Sequence, residues 1–461
     1  MRAALLIDFG STFTKVTSVD LDGELILGRA QSPTTVDTDI TLGLNKAMHL
    51  LKRQTGSVQY AVRLGCSSAA GGLRMVTVGL VPDLTAEAAK RAALGAGAKI
   101  IGIYAHQLST REVRAIEELK PDLMLLAGGT DGGNQEVIVH NAKCMAGSSI
   151  SAPIIVAGNK VAFDEIAHIL QSAGKEVIEA ENVMPEIGVL KVEPAREAIR
   201  KVFIERIVEA KGLKRAETYI DGILMPTPSA VLHAAGLMAR GAGSEPGLGN
   251  LMVVDVGGAT TDVHSVGEGR PKSEGVVCKG LPEPYLKRTV EGDLGLRYNA
   301  VSLLEAVGTD GLGVSQHPQE VEKAIRRLSA EVDRVARSTK EMELDEALAA
   351  AAVRIAVGRH VGYLEPVYMP HGQVFIQYGK DCTDIRQLIA TGGIFAHHPD
   401  APRILRQSLY SHTSPLLLKP RSPRFLVDSK YIMHAVGLLE EIDPEKALRI
   451  GKKYMTEVSC H

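Results

Sequence analysis

Two short glycine-rich stretches carry an aspartate directly after a strand-like apolar run. The first, IDFGSTFTKV, spans residues 7–16, and a loose copy, VDVGGATTDV, spans residues 254–263. Four positions coincide: Asp8 with Asp255, Gly10 with Gly257, Thr14 with Thr261 and Val16 with Val263. The sequence therefore favours a duplicated half with one such turn in each copy.

The residue types in these turns suit the binding of a phosphate chain. Glycines permit positive φ angles, and successive N–H groups of such a turn form an anion nest. A carboxylate at a strand end, such as Asp8 or Asp255, suits hydrated Mg²⁺, which takes one or two carboxylates together with phosphate oxygens. Lys15 adds a positive charge for the same phosphates. Two such turns facing each other would clamp a nucleotide tail and its metal.

One turn of this kind is weak support by itself, because Asp-Gly turns join hairpins in many folds. The nucleotide interpretation rests on the two copies taken with a third glycine turn, ATGGIF, at residues 390–395. We expect that replacing either aspartate, Asp8 or Asp255, by asparagine lowers turnover of the bound nucleotide and leaves the fold intact.

Composition narrows the class of partner. The chain has 461 residues, enough for two or three domains, and a formal net charge of −2, which predicts no nucleic-acid partner. The five cysteines form no CxxC pair, which suits a reducing cytoplasm. We find neither a signal-sequence pattern nor an apolar run of about 18 residues, so we expect a cytoplasmic protein without a membrane partner.

Strand-like apolar runs alternate with helix-length amphipathic stretches, the pattern of an α/β fold. Strand, glycine loop and helix repeat in a stretch that predicts a small parallel α/β module, about 121–190. The loop GAGSEPGLGN, residues 241–250, predicts a domain boundary. We expect one domain over 1–240 plus 428–461, which contains the module, and a second over 241–427.

These landmarks together resemble the superfamily of sugar kinases, heat-shock chaperones and actin. DFGSTFTK is similar to the first phosphate motif, DVGGATTDV to the second, and IATGGIF to the adenosine motif. The stretches TPSAVLHAAGLMARG and VDSKYIMHAVGLL resemble the two connecting helices of the superfamily. All five occur in the order of the superfamily.

The resemblance implies two ribonuclease-H-like domains, of the actin-like ATPase type, that flank a cleft for ATP or ADP with Mg²⁺. It implies ATP hydrolysis coupled to conformational change, with catalytic roles for Asp8, Asp255 and Asp262. Asp8 and Asp255 would hold the Mg²⁺ largely through water. The nucleotide would be bound by Gly10, Ser11, Thr12, Lys15, Gly257, Gly258, Thr260, Gly392 and Gly393.

Within that superfamily the closer likeness is to the accessory proteins of glutamate mutase (methylaspartate mutase), a family of reactivating factors for an adenosylcobalamin enzyme. It is carried by LLIDFGSTFTKV, DLMLLAGGTDGG, MPTPSAVLHAAGLM, VVDVGGATTDVHSV and EGDLGLRYNA. This likeness implies a chaperone-like exchange of damaged cobalamin for intact coenzyme in the partner mutase, and it leaves a homo-oligomer open.

Two other functions stay open on the sequence. The chain is alternatively a small-molecule kinase or ATP-dependent hydrolase of the same superfamily, or a scaffold switched by its nucleotide. A kinase needs a catalytic aspartate and a polar acceptor pocket, and no stretch of the sequence identifies either.

Several further motifs have competing interpretations. The glycine loop 128–133 is either a ligand- or partner-facing loop or a packing turn, and Asp293 and Arg297 either line the cleft or start a solvated helix. The pairs His397–His398 and Cys460–His461 are weak metal candidates, because adjacent pairs without further ligands are usually surface features. No iron–sulfur motif is visible, which disfavours redox activation of a partner.

Overall fold

The computed structural model describes residues 2–35, 39–67, 73–210, 219–221, 223–370, 372–398 and 400–459. The chain divides into two compact units. The first comprises Met1–Ala70, Lys211–Lys279 and Glu283–His461, and the second comprises Gly71–Ala210 and Gly280–Pro282.

The β-strands in chain order are β1 (Ala3–Phe9), β2 (Phe13–Asp20), β3 (Leu25–Pro33), β4 (Tyr60–Ser67), β5 (Arg74–Gly79), β6 (Lys99–Ala105), β7 (Leu123–Leu126), β8 (Ile154–Val156), β9 (Val177–Glu179), β10 (Ile223–Pro226), β11 (Gly241–Ala242), β12 (Glu245–Pro246), β13 (Leu251–Val256), β14 (Thr261–Val266), β15 (Val276–Lys279), β16 (Leu286–Glu291), β17 (Tyr363–Met369), β18 (Gly372–Tyr378), β19 (Gln387–Thr391), β20 (Arg424–Asp428) and β21 (Met455–Val458).

The α-helices are α1 (Ile40–Thr55), α2 (Glu87–Gly95), α3 (Thr110–Leu119), α4 (Glu136–Ala146), α5 (Phe163–Ser172), α6 (Glu193–Ala210), α7 (Thr227–Arg240), α8 (Ala300–Leu312, broken at Gly308), α9 (Pro318–Ala330), α10 (Thr339–His360), α11 (Gly393–His397), α12 (Ala401–Leu405), α13 (Met433–Glu440) and α14 (Pro444–Lys453). Among the described residues, no helix is both long and apolar enough to span a lipid bilayer.

The first unit contains two sheets with the same plan. In one, the order is β3-β2-β1-β4-β10, and β1 is antiparallel to β2 and parallel to β4. In the other, the order is β16-β14-β13-β19-β20-β21, and β13 is antiparallel to β14 and parallel to β19. Each sheet therefore has the ribonuclease-H-like arrangement, in which a three-stranded meander is extended by parallel strands. The expected α/β fold with a duplicated half is confirmed.

The core beside these sheets is built from helices with small residues. The helices α7, α13 and α14 pack together with apolar residues of the central strands β1 and β13. A Cβ at Gly437 would overlap the carbonyl oxygen of Ala230, so the backbones of α13 and α7 touch. This close approach explains the run of small residues in both helices, because only glycine and alanine leave room for a neighbouring backbone.

The second unit is a five-stranded parallel sheet with the order β6-β5-β7-β8-β9. Its core is aliphatic and lies between the sheet and its helices. The inserted parallel module is thus confirmed as a fold, and its sheet takes in two strands, β5 and β6, that precede residue 121. The loops that follow these two strands contain no glycine, whereas Gly128 and Gly158 closely follow β7 and β8.

The C-terminal strand β21 pairs with β20, so it extends the second sheet of the first unit. That unit also carries a small three-stranded sheet of order β15-β18-β17 and a short hairpin of β11 with β12. The division of the chain into domains at residues 240 and 428 stays a prediction.

Candidate functional site

The first glycine turn follows Asp8, which lies near the end of β1. Gly10 N donates to the carbonyl oxygen of Phe13 at 3.1 Å. A Cβ at Gly10 would lie 2.6 Å from that oxygen, so the turn requires glycine. Ser11 and Thr12 are partly exposed in the turn. The turn therefore presents hydroxyl groups and backbone beside a buried carboxylate.

Three side chains donate to the buried carboxylate of Asp8. Lys15 Nζ donates to Oδ2 at 2.7 Å, Thr227 Oγ1 to Oδ1 at 2.6 Å, and Cys66 Sγ to Oδ1 at 3.6 Å. Burial raises the pKa of Asp8, but the Lys15 charge and the hydrogen bonds outweigh it, and the net pKa is lowered. Burial likewise lowers the pKa of Lys15, and the Asp8 charge outweighs it, so the net pKa is raised. Asp8 and Lys15 are therefore an ion pair at neutral pH.

Tyr431 covers this ion pair. Lys15 Nζ lies 4.3 Å from the centroid of the Tyr431 ring, a cation–π distance. Tyr431 has a φ of 49°, a left-handed conformation that is uncommon for a bulky residue. The strained backbone places the ring over the ammonium group.

The second turn follows Asp255 at the corresponding place in β13. Asp255 is in register with Asp262 of β14, just as Asp8 is in register with Lys15 of β2. The two halves thus differ in charge at this position. Where the first half has a lysine next to its strand-end aspartate, the second half has another carboxylate.

The Asp262 carboxylate is held by neighbours in the same half. Arg288 donates to Oδ1 from Nε at 3.0 Å and from Nη2 at 2.7 Å. Thr260 Oγ1 donates to Oδ2 at 2.8 Å. The guanidinium and the hydroxyl fix the orientation of Asp262 beside the turn.

One carboxylate oxygen of Asp255 has no hydrogen-bond donor among the described residues. Its Oδ1 atom is buried and accepts no hydrogen bond from any residue that the structure describes. Burial, together with the charge of Asp262, raises the pKa of Asp255 to about 7, and the Lys15 charge opposes this increase. A buried unpartnered carboxylate oxygen costs free energy in the absence of a hydrogen-bond donor or a cation. Asp255 therefore suits a ligand that brings one of these.

The two turns come together in the first unit. A Cβ at Gly258 would lie 2.9 Å from Thr12 Oγ1 and 3.6 Å from Arg297 Cβ. The charges of Lys15 and Asp8 both influence the pKa of Asp255: Lys15 lowers it, and Asp8 raises it. The structure thus gathers the residues of both predicted phosphate turns at one site.

The third glycine turn is next to the second. Gly392 follows β19 with a φ of 113°, and a Cβ there would overlap the carbonyl oxygen of Val256. At the neighbouring Gly393, no described atom lies within 4 Å of a Cβ position. Gly392 thus packs against the strand that carries Asp255, while Gly393 faces open space.

A further aspartate completes the group at strand ends. Asp428 ends β20, and its Oδ2 atom accepts from Thr391 Oγ1 at 2.9 Å and from the backbone N of Ile432 and Met433 at 2.7 and 2.9 Å. It therefore binds the first turn of α13. Burial raises the pKa of Asp428.

Sequence reasoning did not assign Thr227, Cys66, Tyr431, Asp428 or Arg288 to this site. One signal was available, since FLVD ends in an aspartate after an apolar strand, as LLID and MVVD do. Thr227 was identified only as part of a helix start. The other three carry no local signal, because they reach the site through strand pairing and helix packing.

Asp293 and Arg297 of the EGDLGLR stretch are engaged within the second half. Arg297 Nη1 and Nη2 donate to the two carboxylate oxygens of Asp345 at 2.9 and 2.8 Å. Asp293 accepts from Arg359 at 3.0 Å. The backbone N of Arg297 donates to the carbonyl oxygen of Gly258 at 2.8 Å, so this stretch is hydrogen-bonded to the second turn.

The glycine loop 128–133 of the second unit is bonded to its own neighbours. Asn182 Nδ2 donates to the oxygen of Gly129 at 3.0 Å and to Asp131 at 2.9 Å. Asn159 Nδ2 donates to the oxygen of Gly133 at 3.1 Å. Buried asparagines thus account for the shape of the loop.

The weak metal candidates gain no further ligands. Across the described part of the chain, no group of three or more His, Cys, Asp and Glu side chains is placed to hold a metal ion. His398 lies 3.7 Å from Glu346, and Cys460–His461 falls outside the described residues. A hydrated Mg²⁺ needs only one or two carboxylates, so this finding does not bear on the two turns.

Comparison with known proteins identifies relatives of the whole chain. The sequence model of a family described as MutL protein matches residues 4–455. A protein of Clostridium tetanomorphum named Protein MutL is 48% identical over 462 residues, which cover 99% of this chain and 100% of the relative.

The solved structures with a similar fold share much less sequence identity with this chain. A nucleotide-free acetone carboxylase is 13% identical, with a TM-score of 0.42, over 94% of this chain and 69% of that one. Gluconate kinase from Lactobacillus acidophilus is 10% identical, with a TM-score of 0.37, over 99% and 93%. Glycerol dehydratase reactivase is 11% identical, with a TM-score of 0.36, over 95% and 99%.

Proposed function

Because the chain belongs to the MutL protein family, we propose that it is an ATP-dependent reactivating factor for an adenosylcobalamin-dependent mutase. As the partner we propose glutamate mutase. The outcome would be the exchange of damaged cobalamin for intact coenzyme, driven by the binding and hydrolysis of ATP.

One observation carries the nucleotide part of the proposal. Two turns at equivalent strand ends of two sheets with the same plan meet at Thr12 and Gly258, with the buried Asp8 and the partly buried Asp255 next to them. Glycine turns that are flanked by hydroxyls and a lysine suit a polyphosphate, because they combine N–H donors with positive charge.

Mg-ATP, when bound, supplies the phosphoryl group and part of the charge neutralisation that phosphoryl transfer needs. The chain itself positions the reacting groups. We assign contacts with the phosphates to Gly10, Ser11, Thr12, Lys15, Gly257, Gly258 and Thr260. We assign the Mg²⁺ to Asp8 and Asp255, and the base and ribose to Gly392 and Gly393.

Asp255 is the residue that we expect to orient the attacking water. Its Oδ1 atom has no hydrogen-bond partner among the described residues, so it can accept a hydrogen bond from a water molecule. Asp262 assists as a fixed negative charge beside it, since Arg288 and Thr260 hold it in place.

Two helices begin at the site and offer a route to conformational change. Thr227 starts α7 and donates to Asp8, and Asp428 accepts from the first turn of α13. These helices touch at Gly437 and Ala230, a contact of small residues that permits one helix to shift on the other. A change in how Asp8 is bonded would thus reach the start of α7.

The direct test uses glutamate mutase loaded with adenosyl-free cobalamin. The full-length chain is added with intact coenzyme, with or without Mg-ATP, and the recovery of mutase activity is followed. We expect recovery only with Mg-ATP. Asp255→Asn should abolish recovery and lower ATP hydrolysis by about 100-fold, whereas Asp293→Asn, outside the two turns, should leave both unchanged.

The outcomes separate the parts of the proposal. If ATP is hydrolysed but mutase activity stays flat, the nucleotide site stands and glutamate mutase is the wrong partner. If wild type and Asp255→Asn hydrolyse ATP equally, the assignment of the two turns is wrong.

A further inference from the structure

One face of the three-stranded sheet β15-β18-β17 is apolar and exposed. The register of the strands places nine side chains on this face, which we call the β18 face: Val277, Lys279, Tyr363, Glu365, Val367, Met369, Val374, Ile376 and Tyr378. On the opposite face Gln377 is buried and donates to the oxygen of Gly269 at 2.9 Å, whereas Tyr368 is 81% exposed.

The β18 face exposes large hydrophobic groups that the described part of the chain leaves accessible. Val277 is 62% exposed, Met369 55% and Tyr363 46%. Val367, Val374 and Ile376 are partly exposed between them. A contiguous apolar surface of this kind marks an interaction site rather than scattered surface residues.

Two tyrosines at one end of the face are already ordered. The rings of Tyr363 and Tyr378 stack with centroids 5.0 Å apart and 7° between the planes. Lys279 Nζ lies 5.2 Å from the centroid of Tyr378 and 3.2 Å from its hydroxyl. Rigid aromatic groups lose little entropy on association, and tyrosine is enriched at protein interfaces.

The charges on the face match a second copy of the same chain. Lys279 lies on the edge strand β15, and Glu365 lies on the opposite edge strand β17. A twofold axis along β18 lays β15 of each copy over β17 of the other. The register puts Val277 level with Glu365 and Lys279 level with Tyr363, so each Lys279 is diagonal to Glu365 of the second copy, two residues away along the strand. The apolar middle of one face then packs on that of the other, as in aligned sheet packing.

We propose that the β18 face is a twofold interface through which this chain forms a homodimer. The proposal is independent of the nucleotide site, since none of the nine residues belongs to the glycine turns. It identifies the partner by complementarity: an apolar centre between one positive and one negative edge fits its own copy.

Sedimentation velocity of the full-length chain over a range of concentrations tests this. We expect a wild-type dimer that Val277→Glu converts to monomer, because the new carboxylate would be buried in the interface opposite Glu365 of the second copy. Val335→Glu is the matched control: Val335 is 66% exposed and lies outside the face, so its dimer should persist. Far-UV circular dichroism and melting temperature verify that each variant is folded.

Charge exchange distinguishes a second copy from another partner. Lys279→Glu and Glu365→Lys should each weaken the dimer about tenfold by placing like charges together, and the double variant should restore it. A wild-type monomer at every concentration, or a dimer indifferent to Val277→Glu, would overturn the proposal. Failure of the double variant to recover would do the same, and would indicate a different protein as the partner of this face.

Discussion

Asp8 and Asp255 occupy equivalent strand positions, yet their surroundings give them opposite properties. Asp8 is paired with Lys15, and its pKa is lowered, whereas Asp255 lies beside Asp262, and its pKa is raised to about 7. A pair of carboxylates with separated pKa values is a frequent arrangement for assigning different roles to two chemically identical groups. The two pKa values shift in opposite directions because the strand register pairs Asp8 with a lysine, Lys15, and Asp255 with a second carboxylate, Asp262.

The raised pKa of Asp255 predicts a pH-dependent stability. Its folded value of about 7 exceeds the usual value of 3.8, so its contribution to stability is fully present below about pH 4 and is lost as the pH rises through 7. Asp255→Asn cannot titrate. The free energy of unfolding of the wild type should therefore fall relative to the variant between pH 4 and 7, by roughly 3 kcal/mol. Urea denaturation at several pH values measures this, and parallel pH profiles for the two proteins would contradict it.

The Asp8–Lys15 pair predicts a different result for Asp8→Asn. This variant leaves the buried Lys15 ammonium without its counter-ion, which should cost about 3 kcal/mol of stability and lower ATP turnover about 100-fold. The expectation from the sequence that the fold is unaffected is therefore revised. Adding Lys15→Met to Asp8→Asn should recover stability but not turnover. Chemical denaturation and an ATPase assay test both, and a single variant as stable as wild type would rule out the buried ion pair.

At the scale of elements, individual glycines allow strands and helices to approach each other closely. Gly392 approaches the backbone of β13, and Gly437 brings α13 onto α7. At both positions the neighbouring atoms belong to the backbone. The overlap that a larger residue would create cannot therefore be removed by a change of side-chain conformation. The site therefore depends on close backbone contacts between elements that are distant in sequence.

The adjacent glycines 392 and 393 provide a matched test. Gly392→Ala introduces a Cβ that overlaps the Val256 oxygen at a φ of 113°, so we expect a loss of about 3 kcal/mol of stability. Gly393→Ala meets no described atom within 4 Å and should keep the wild-type melting temperature. Thermal denaturation of both variants measures the difference. Equal melting temperatures would contradict the close approach of Gly392 to β13.

At the scale of the whole molecule, the first unit combines two sheets, the helices between them and all three glycine turns. A ligand that contacts both turns would link the two sheets and stabilise the folded state by mass action. The second unit has its own parallel sheet and core, and its glycine loop is already held by Asn159 and Asn182.

Mg-ATP should therefore raise the melting temperature of the full-length chain. At a concentration of about 100 times its dissociation constant, the gain in stability is about 2.7 kcal/mol, which corresponds to a shift of a few degrees. Gly258→Val should remove this shift, because its side chain would fill the space next to Thr12. Differential scanning fluorimetry with ATP or GTP and with or without Mg²⁺ tests this, and an unchanged shift in Gly258→Val would argue against binding between the turns.

The sequence by itself determined the features that depend on neighbouring residues. The strand, glycine turn and strand around Asp8 and Asp255 form as predicted, because a short apolar run that ends at an Asp-x-Gly turn is a local property of the sequence, and these strands are buried along nearly their whole length. The parallel module after residue 121 was predicted from the same kind of local repetition. The strands β5 and β6 lacked it and were missed.

Only the tertiary structure decided which side chains share the site. Thr227 is 219 residues from Asp8 along the chain, and their hydrogen bond depends on the pairing of β10 with β4 and the start of α7. The opposite pKa shifts of Asp8 and Asp255 also arise from contacts, since burial and neighbouring charge set a pKa. Local pattern specifies each turn, whereas register and packing, which are cooperative properties of the whole unit, specify the partners of its side chains.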